Sequence, residues 1–187
     1  MIKRYCVKIP KDIKIVYLID KDFIVFIGPL GKKSLRLKVK LFIQESTNSV
    51  YVTKQLSLIF SRKQNSFLSL QGTVTASLKQ SILEVSLVSF KKLELVGVGY
   101  RVLLIKENSE SMLQFKLGFS HSIFFKIDSK LKAITHRPTD LYLFGSSSVQ
   151  VNQTASMIRS YKLPEPYKGK GILYQNEQVK LKEGKKV

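Results

Sequence analysis

Residues 71–81 read Gln71-Gly72-Thr73-Val74-Thr75-Ala76-Ser77-Leu78-Lys79-Gln80-Ser81, and residues 150–160 read Gln150-Val151-Asn152-Gln153-Thr154-Ala155-Ser156-Met157-Ile158-Arg159-Ser160. A shift of 79 residues places Gln71, Thr75, Ala76, Ser77 and Ser81 on Gln150, Thr154, Ala155, Ser156 and Ser160, five identities in eleven positions. Leu70, Val74, Leu78, Ile82 and Val85 recur at three-to-four spacing with no proline between, which predicts an amphipathic helix from about Ser66 to Ser86. Ser147 to Ser160 reads as a second helix in the same way.

Outward from each helix the pattern changes to that of strands. Ile13 to Ile19 and Phe23 to Ile27 are β-branched and aromatic runs around Asp20-Lys21-Asp22, which predicts a hairpin. After the Gly28-Pro29-Leu30-Gly31 break, Leu35, Leu37, Val39 and Leu41 alternate with Arg36, Lys38 and Lys40, a strand with a basic outer face, and the sheet continues through Ser49 to Thr53. The second half repeats the plan with strands over Leu93–Lys106, Met112–Leu117, Ile123–Ile127 and Leu141–Phe144, the first two joined by a polar loop over Glu107–Ser111. Matched order and matched helices predict an internal duplication. The fold class is α+β: two similar small domains, residues 1–88 and 89–187, each a mainly antiparallel sheet covered by one helix, with a basic extended C-terminal tail from about residue 163.

Charge sets the partner. The 187 residues hold 32 Lys and Arg against 13 Asp and Glu, a formal +19. The excess is +10 over residues 1–88 and +9 over residues 89–187, so it is not the property of a tail. Self-repulsion of that size is relieved on a polyanion, above all on phosphates. The longest apolar runs, such as Ile15–Ile19 and Val102–Ile105, are far shorter than the roughly 18–20 residues of a membrane span. No amphipathic helix concentrates Lys on one face, so no membrane partner is expected. The start, MIKRYCVKIP, has no signal-like apolar run, and Cys6 is the lone cysteine, which together predict an intracellular, reducing setting. Residues with AT-rich codons predominate and only three alanines occur, as expected of an AT-rich genome such as many organelles have.

Motifs that would carry catalysis fail on spacing. Gly28 to Ser34 is two residues short of a phosphate loop and runs into a strand where a helix should start. Gly97-Val98-Gly99 begins like a dinucleotide fingerprint, but Val102 stands at the third glycine, so the segment reads as a strand with close backbone approach. His121, His136 and Cys6 are too scattered for the four ligands of a structural zinc. No acid–base set can be assembled. Catalytic residues, metal and cofactors are therefore expected to be none.

The tail does carry a pattern: Leu163-Pro164-Glu165-Pro166-Tyr167-Lys168-Gly169-Lys170-Gly171-Ile172. The prolines hold the chain extended beyond the helix. Gly169 and Gly171 free the backbone on either side of Lys170 to approach a crowded anionic surface, and Tyr167 offers a flat face to a base or sugar.

At this point the chain resembles a known family. Lys92-Leu-Glu-Leu-Val-Gly97-Val-Gly99-Tyr100-Arg101, Leu117-Gly118-Phe119-Ser120-His121, Arg159, Pro164 to Ile172 and Leu181-Lys-Glu-Gly-Lys185 stand in the order and approximate spacing of protein six of the large ribosomal subunit. The resemblance covers about residues 90–187; the first half is similar in outline, through Ile9-Pro10, the Gly28-Pro29-x-Gly31 turn and Leu70–Gly72. It implies a non-enzymatic protein of two α+β domains that binds large-subunit rRNA near the stalk base and the sarcin-ricin loop, beside neighbouring large-subunit proteins and close to where translational GTPases act. Carried over residue by residue, it places RNA binding on Lys92, Arg101, His121, Arg159, Tyr167, Lys168, Gly169, Lys170, Gly171 and Lys185. The chain departs from the family at Phe119 and Ser122, where tyrosine and proline are usual, and at Ser146-Ser147-Ser148, where the second helix usually starts polar and basic. The expected setting is a mitochondrial ribosome, with plastid or bacterial cytoplasm as alternatives. The competing function is a free RNA-binding module acting in ribosome assembly or on mRNA.

Overall fold

Both helices form, α1 over Gln64–Ser86 and α2 over Ser148–Ser160, in a computed structural model that describes residues 5–18, 22–37, 39–44, 46–52, 64–107 and 110–184. The repeat seen in sequence has a physical counterpart in them. Thr75 Oγ1 donates to the Gln71 carbonyl at 2.7 Å, and Thr154 Oγ1 donates to the Gln150 carbonyl at 2.8 Å. Two compact units carry these helices, Met1–Leu87 and Val88–Val187.

In the first unit the strands are β1 (Cys6–Lys8), β2 (Lys14–Leu18), β3 (Phe23–Gly28), β4 (Gly31–Arg36), β5 (Leu41–Gln44) and β6 (Ser49–Val52). β2, β3 and β4 form one antiparallel meander, and β5, β6 and β1 form a second sheet in that spatial order. In the second unit they are β7 (Ser89–Val96), β8 (Arg101–Glu107), β9 (Glu110–Lys116), β10 (Ile123–Lys126), β11 (Leu131–Arg137), β12 (Asp140–Gly145) and β13 (Gly171–Tyr174). There β8, β9 and β10 form the meander, and the second sheet runs β11, β12, β7, β13. The two topologies coincide strand for strand, and every pairing is antiparallel. The second unit adds β13 on the free edge of β7. The fold is thus α+β with two similar small domains, each built from two sheets and one helix.

Each unit closes its own core. Ile24, Phe26, Val50 and Leu78 are buried in the first, and Leu93, Leu113, Phe115, Leu141, Leu143, Ala155, Ile158 and Ile172 in the second. Val74, Leu78, Ile82 and Val85 supply the buried stripe of α1 at the spacing read from sequence.

Three expectations change. The alternation from Leu35 to Leu41 is not one strand: β4 ends at Arg36 and β5 begins at Leu41, while Leu37, Val39 and Leu41 are all buried. A period of two therefore persisted through a bend because each apolar residue still reaches the core. Leu93–Lys106 is likewise two strands, parted at Gly97–Tyr100. Gly97 (φ 154°) and Gly99 (φ 75°) take conformations that favour glycine, and the Tyr100 amide donates to the Gly97 carbonyl at 3.2 Å. The Glu107–Ser111 loop shrinks, since Glu107 pairs with Glu110 and Lys106 with Ser111. Gly28–Gly31 is the two-residue turn of the β3–β4 hairpin. Parts of the Asp20–Asp22 turn and Thr53 lie outside the described residues.

Candidate nucleic-acid interface

The turn between β7 and β8 and the loop after β9 are held together by one ring. A Cβ placed on Gly97 would lie 2.8 Å from Tyr100 Cδ2, and one on Gly118 (φ 74°) 3.2 Å from Tyr100 Cε1. Only residues without a side chain let the Tyr100 ring sit against both segments. This contact brings the Arg101 end of β8 beside the Gly118–His121 loop. Arg101 pairs in register with Lys116, so two cations stand directly opposite on one sheet face. Like charges in that arrangement repel.

The loop continues the cationic surface. Phe119, 42% exposed, stacks on His121 with centroids 6.1 Å apart and planes inclined 21°. Lys162 Nζ lies 4.3 Å from the centre of the Phe119 ring, a cation–π contact. Phe119 thus replaces the expected tyrosine with a purely apolar face that orients two cation-capable side chains. Among the described residues none of Arg101, Lys116, His121 or Lys162 is paired with a carboxylate.

Lys162 also anchors the Pro/Gly/Lys segment. Its carbonyl accepts the Ile172 amide at 2.8 Å, fixing the start of β13. Between them the chain was expected to run extended, yet it closes on itself: the Glu165 amide donates to the Lys170 carbonyl and the Gly169 amide to the Glu165 carbonyl, both at 2.8 Å. Gly169 makes this possible with φ 68°. Tyr167 and Lys168 are exposed at the tip. Gly171 is buried, and a Cβ there would lie 2.6 Å from Pro164 Cα. Its missing side chain is thus accounted for within the fold, by backbone against backbone. The Lys182 amide, donating to the Pro166 carbonyl at 2.8 Å, returns the following segment to the same loop.

Two residues expected on the interface are engaged elsewhere. Lys92 Nζ sits 2.8 Å from Glu94 Oε1 and 3.3 Å from Asp140 Oδ2, and 5.7 Å from the centre of the Tyr142 ring. The hydrogen bond to Glu94, then that to Asp140, holds its pKa well above the usual lysine value. With 17% of its side chain exposed and two carboxylates bound, it offers little free charge to a phosphate. Arg159 Nη2 donates to Glu177 Oε1 at 2.7 Å, and its guanidinium lies 5.3 Å from the centre of the Tyr174 ring. Glu177 in turn accepts the Tyr174 amide at 3.0 Å, which with the Arg159 bond lowers its pKa. Arg159 therefore ties α2 to the turn after β13. Lys185 lies outside the described residues.

The structure thus gathers Arg101, His121 and the Tyr167–Lys170 loop at one end of the second unit, and adds Lys116 and Lys162. Sequence reasoning missed both additions. Lys116 was legible only through strand register, and Lys162 only through the aromatic ring it covers. Among the described residues no three His, Cys, Asp or Glu side chains converge as metal ligands, and no described helix is long and apolar enough to cross a membrane.

The chain is thus an α+β protein of two like units, the second of which ends in a rim of cations that, among the described residues, carry no carboxylate partner. Comparison with known proteins makes the family specific. The ribosomal protein L6 family model matches residues 96–175. Large ribosomal subunit protein uL6 of Chloroherpeton thalassium is 36% identical over 179 residues, covering 96% of this chain and 93% of its own length. The Buchnera aphidicola protein of the same name is 44% identical over 115 residues, covering 62% of this chain and 63% of its own. Large ribosomal subunit protein uL6m of Reclinomonas americana is 35% identical over 182 residues, covering 96% and 95%. The chain belongs to the ribosomal protein L6 family.

Proposed function

We propose that this protein is a structural, non-catalytic constituent of the large ribosomal subunit that binds large-subunit rRNA through the loop end of its second unit. The observation that carries the reading is the convergence of Arg101, Lys116, His121, Lys162 and the closed Tyr167–Lys170 loop, with no carboxylate paired to them among the described residues. Mutually repelling cations held on rigid strands are stabilised by phosphate oxygens placed between them. On this reading the contact lies near the stalk base and the sarcin-ricin loop, beside neighbouring proteins, where the assembled rRNA helices serve translational GTPases. Residues 89–187 supply the specific contacts and residues 1–88 mainly general charge. Predominance of residue types with AT-rich codons and the likeness to an organellar relative favour a mitochondrial ribosome.

The test is sedimentation. After a salt wash the protein should remain with large subunits at one copy each; recovery mainly free, or with small subunits, overturns the reading. In binding to a large-subunit rRNA fragment across a salt series, Lys168→Ala with Lys170→Ala should flatten the salt slope by about two phosphate contacts.

A further inference from the structure

The second RNA-facing candidate lies away from the loop end, on the outer side of the sheet β11–β12–β7–β13. Its inner side carries Leu93, Leu95, Leu141 and Leu143 into the core. The alternate positions therefore face outward, and register sets them in rows: Lys132, Phe144 and Phe90 in one, Ile134, Tyr142 and Lys92 in the next. Phe90 is 58% and Ile134 53% exposed, while Tyr142 and Phe144 are half-buried. The Phe90 and Phe144 centroids are 6.2 Å apart with planes inclined 30°, and those of Tyr142 and Phe144 are 6.4 Å apart with planes inclined 17°. Three rings thus form a continuous aromatic floor across the adjacent strands β12 and β7, the interior strands of the sheet.

We propose that this open sheet face binds a short single-stranded RNA segment by stacking its bases on Phe90, Phe144 and Tyr142. The inference goes beyond the loop-end interface and rests on the same reading of the chain as an RNA-binding protein. Neighbouring rings on the interior strands of a four-stranded antiparallel sheet suit unpaired bases, whose faces are flat and apolar whatever their identity. Charge agrees. The face holds two carboxylates, Glu94 and Asp140, and both are bound by Lys92. Lys132 and Arg137 make no ion pair among the described residues, so the charges left free are positive and stand beside the floor, where a backbone would pass. A duplex hides its base faces and is not expected to use this surface.

The chain contains no tryptophan, so Phe90→Trp places a single reporter on an exposed position. Titration of the full-length variant with an oligouridylate of roughly nine nucleotides should quench that fluorescence saturably, and a duplex of equal length should not. In the wild-type background Phe90→Ala should weaken oligouridylate binding about tenfold, on the order of one lost stacking contact, with an unchanged salt slope because no charge is removed. Lys168→Ala with Lys170→Ala serves as the control for the loop end. Absence of quenching, or unchanged affinity in Phe90→Ala, overturns the stacking face, and the function proposed above survives if the rRNA fragment is still bound through the loop. Failure to bind the fragment at all overturns that broader function instead. Unchanged oligonucleotide affinity with reduced incorporation into large subunits would assign the face to a protein neighbour and overturn the proposal.

Discussion

Replacing Gly171 by alanine separates what the fold demands of the Pro/Gly/Lys segment from what RNA demands. The new Cβ would lie 2.6 Å from Pro164 Cα, 2.7 Å from Pro164 N and 2.8 Å from Leu163 C. All three are backbone atoms, none can rotate away, and the favourable carbon separation is about 3.5–4.0 Å. Overpacking of this kind costs about 1–3 kcal/mol. Gly171 also has φ 153°, and holding an alanine there adds about 1–3 kcal/mol. Relief requires β13 to leave β7, which would expose the fully buried Ile172. The expected loss is therefore about 2–6 kcal/mol. Gly169→Ala is the internal standard. At φ 68° it incurs the left-handed penalty, about 1–2 kcal/mol, but its Cβ would meet only Leu181 Cδ2 at 3.6 Å, an ordinary contact. Urea unfolding followed by circular dichroism measures both, and hydrogen exchange of the Ile172 amide reports locally. Equal destabilisation by the two alanines would refute the reasoning. So would a Gly171→Ala protein of normal stability that loses RNA binding, since the glycine would then be answering to RNA.

The remaining expectations address charge. Lys116→Gln should raise the stability of the free protein by about 0.2–1 kcal/mol, because it removes a like-charge cross-strand pair with Arg101, while weakening rRNA binding and reducing the salt slope by about one contact; thermal unfolding and a salt-series titration check the opposite signs. Arg159→Ala should destabilise the second unit by about 1–3 kcal/mol by leaving Glu177 short of a charged partner, and Arg159→Lys should recover only part because lysine has no planar fork to stack on Tyr174. Glu177 has a folded pKa below its unfolded value, so its contribution is complete above the unfolded value of 4.5 and is lost as pH falls through the folded one. Urea midpoints measured across that acid range should fall less steeply in Glu177→Gln. For Lys92 the sign reverses: its folded pKa is raised, so its contribution is complete below the unfolded value of 10.5 and is lost as pH rises through the folded one. Lys92→Met should therefore flatten the alkaline limb of stability.

Local periodicity accounts for what could be read before the structure. Helix α1 and helix α2 were legible because their buried residues recur at one spacing, and the duplication because Thr75 and Thr154 occupy the same place in the same turn. Whatever depends on distant pairing was hidden. Gly171–Tyr174 is a strand only because β7 offers an edge some eighty residues earlier in sequence, so by composition it looked like more of the basic tail. That Lys92 is engaged by carboxylates was hidden, because one of them, Asp140, arrives through the register of β12. The Arg159 assignment missed Glu177 for the same reason, a contact across 18 residues and an intervening strand. Tyr100, whose ring sets the Arg101 end of β8 against the Gly118 loop, stood in the resembling stretch, but its packing had no sequence signal beyond the glycines it requires at Gly97 and Gly118.

The two units carry nearly equal charge and nearly equal topology, and the strand after the helix is where they part. In the first unit the sheet β5–β6–β1 ends at β1, and no described strand pairs with its outer edge. In the second, β13 occupies the corresponding edge of β7. To arrive there the chain must turn back from the end of α2 within about ten residues, and Pro164, Gly169 and Gly171 accomplish that turn at close backbone contact. The turn projects Tyr167 and Lys168, while Ile172, bound to Lys162, fixes the end of the helix near Phe119 and His121. One added strand thus sets Lys162 and the Tyr167–Lys168 turn beside the cations that β8, β9 and the loop after β9 already carry. Net charge, +10 against +9, could not have distinguished the two copies, because affinity for a folded RNA depends on where the charges are held and on which of them are left without a carboxylate.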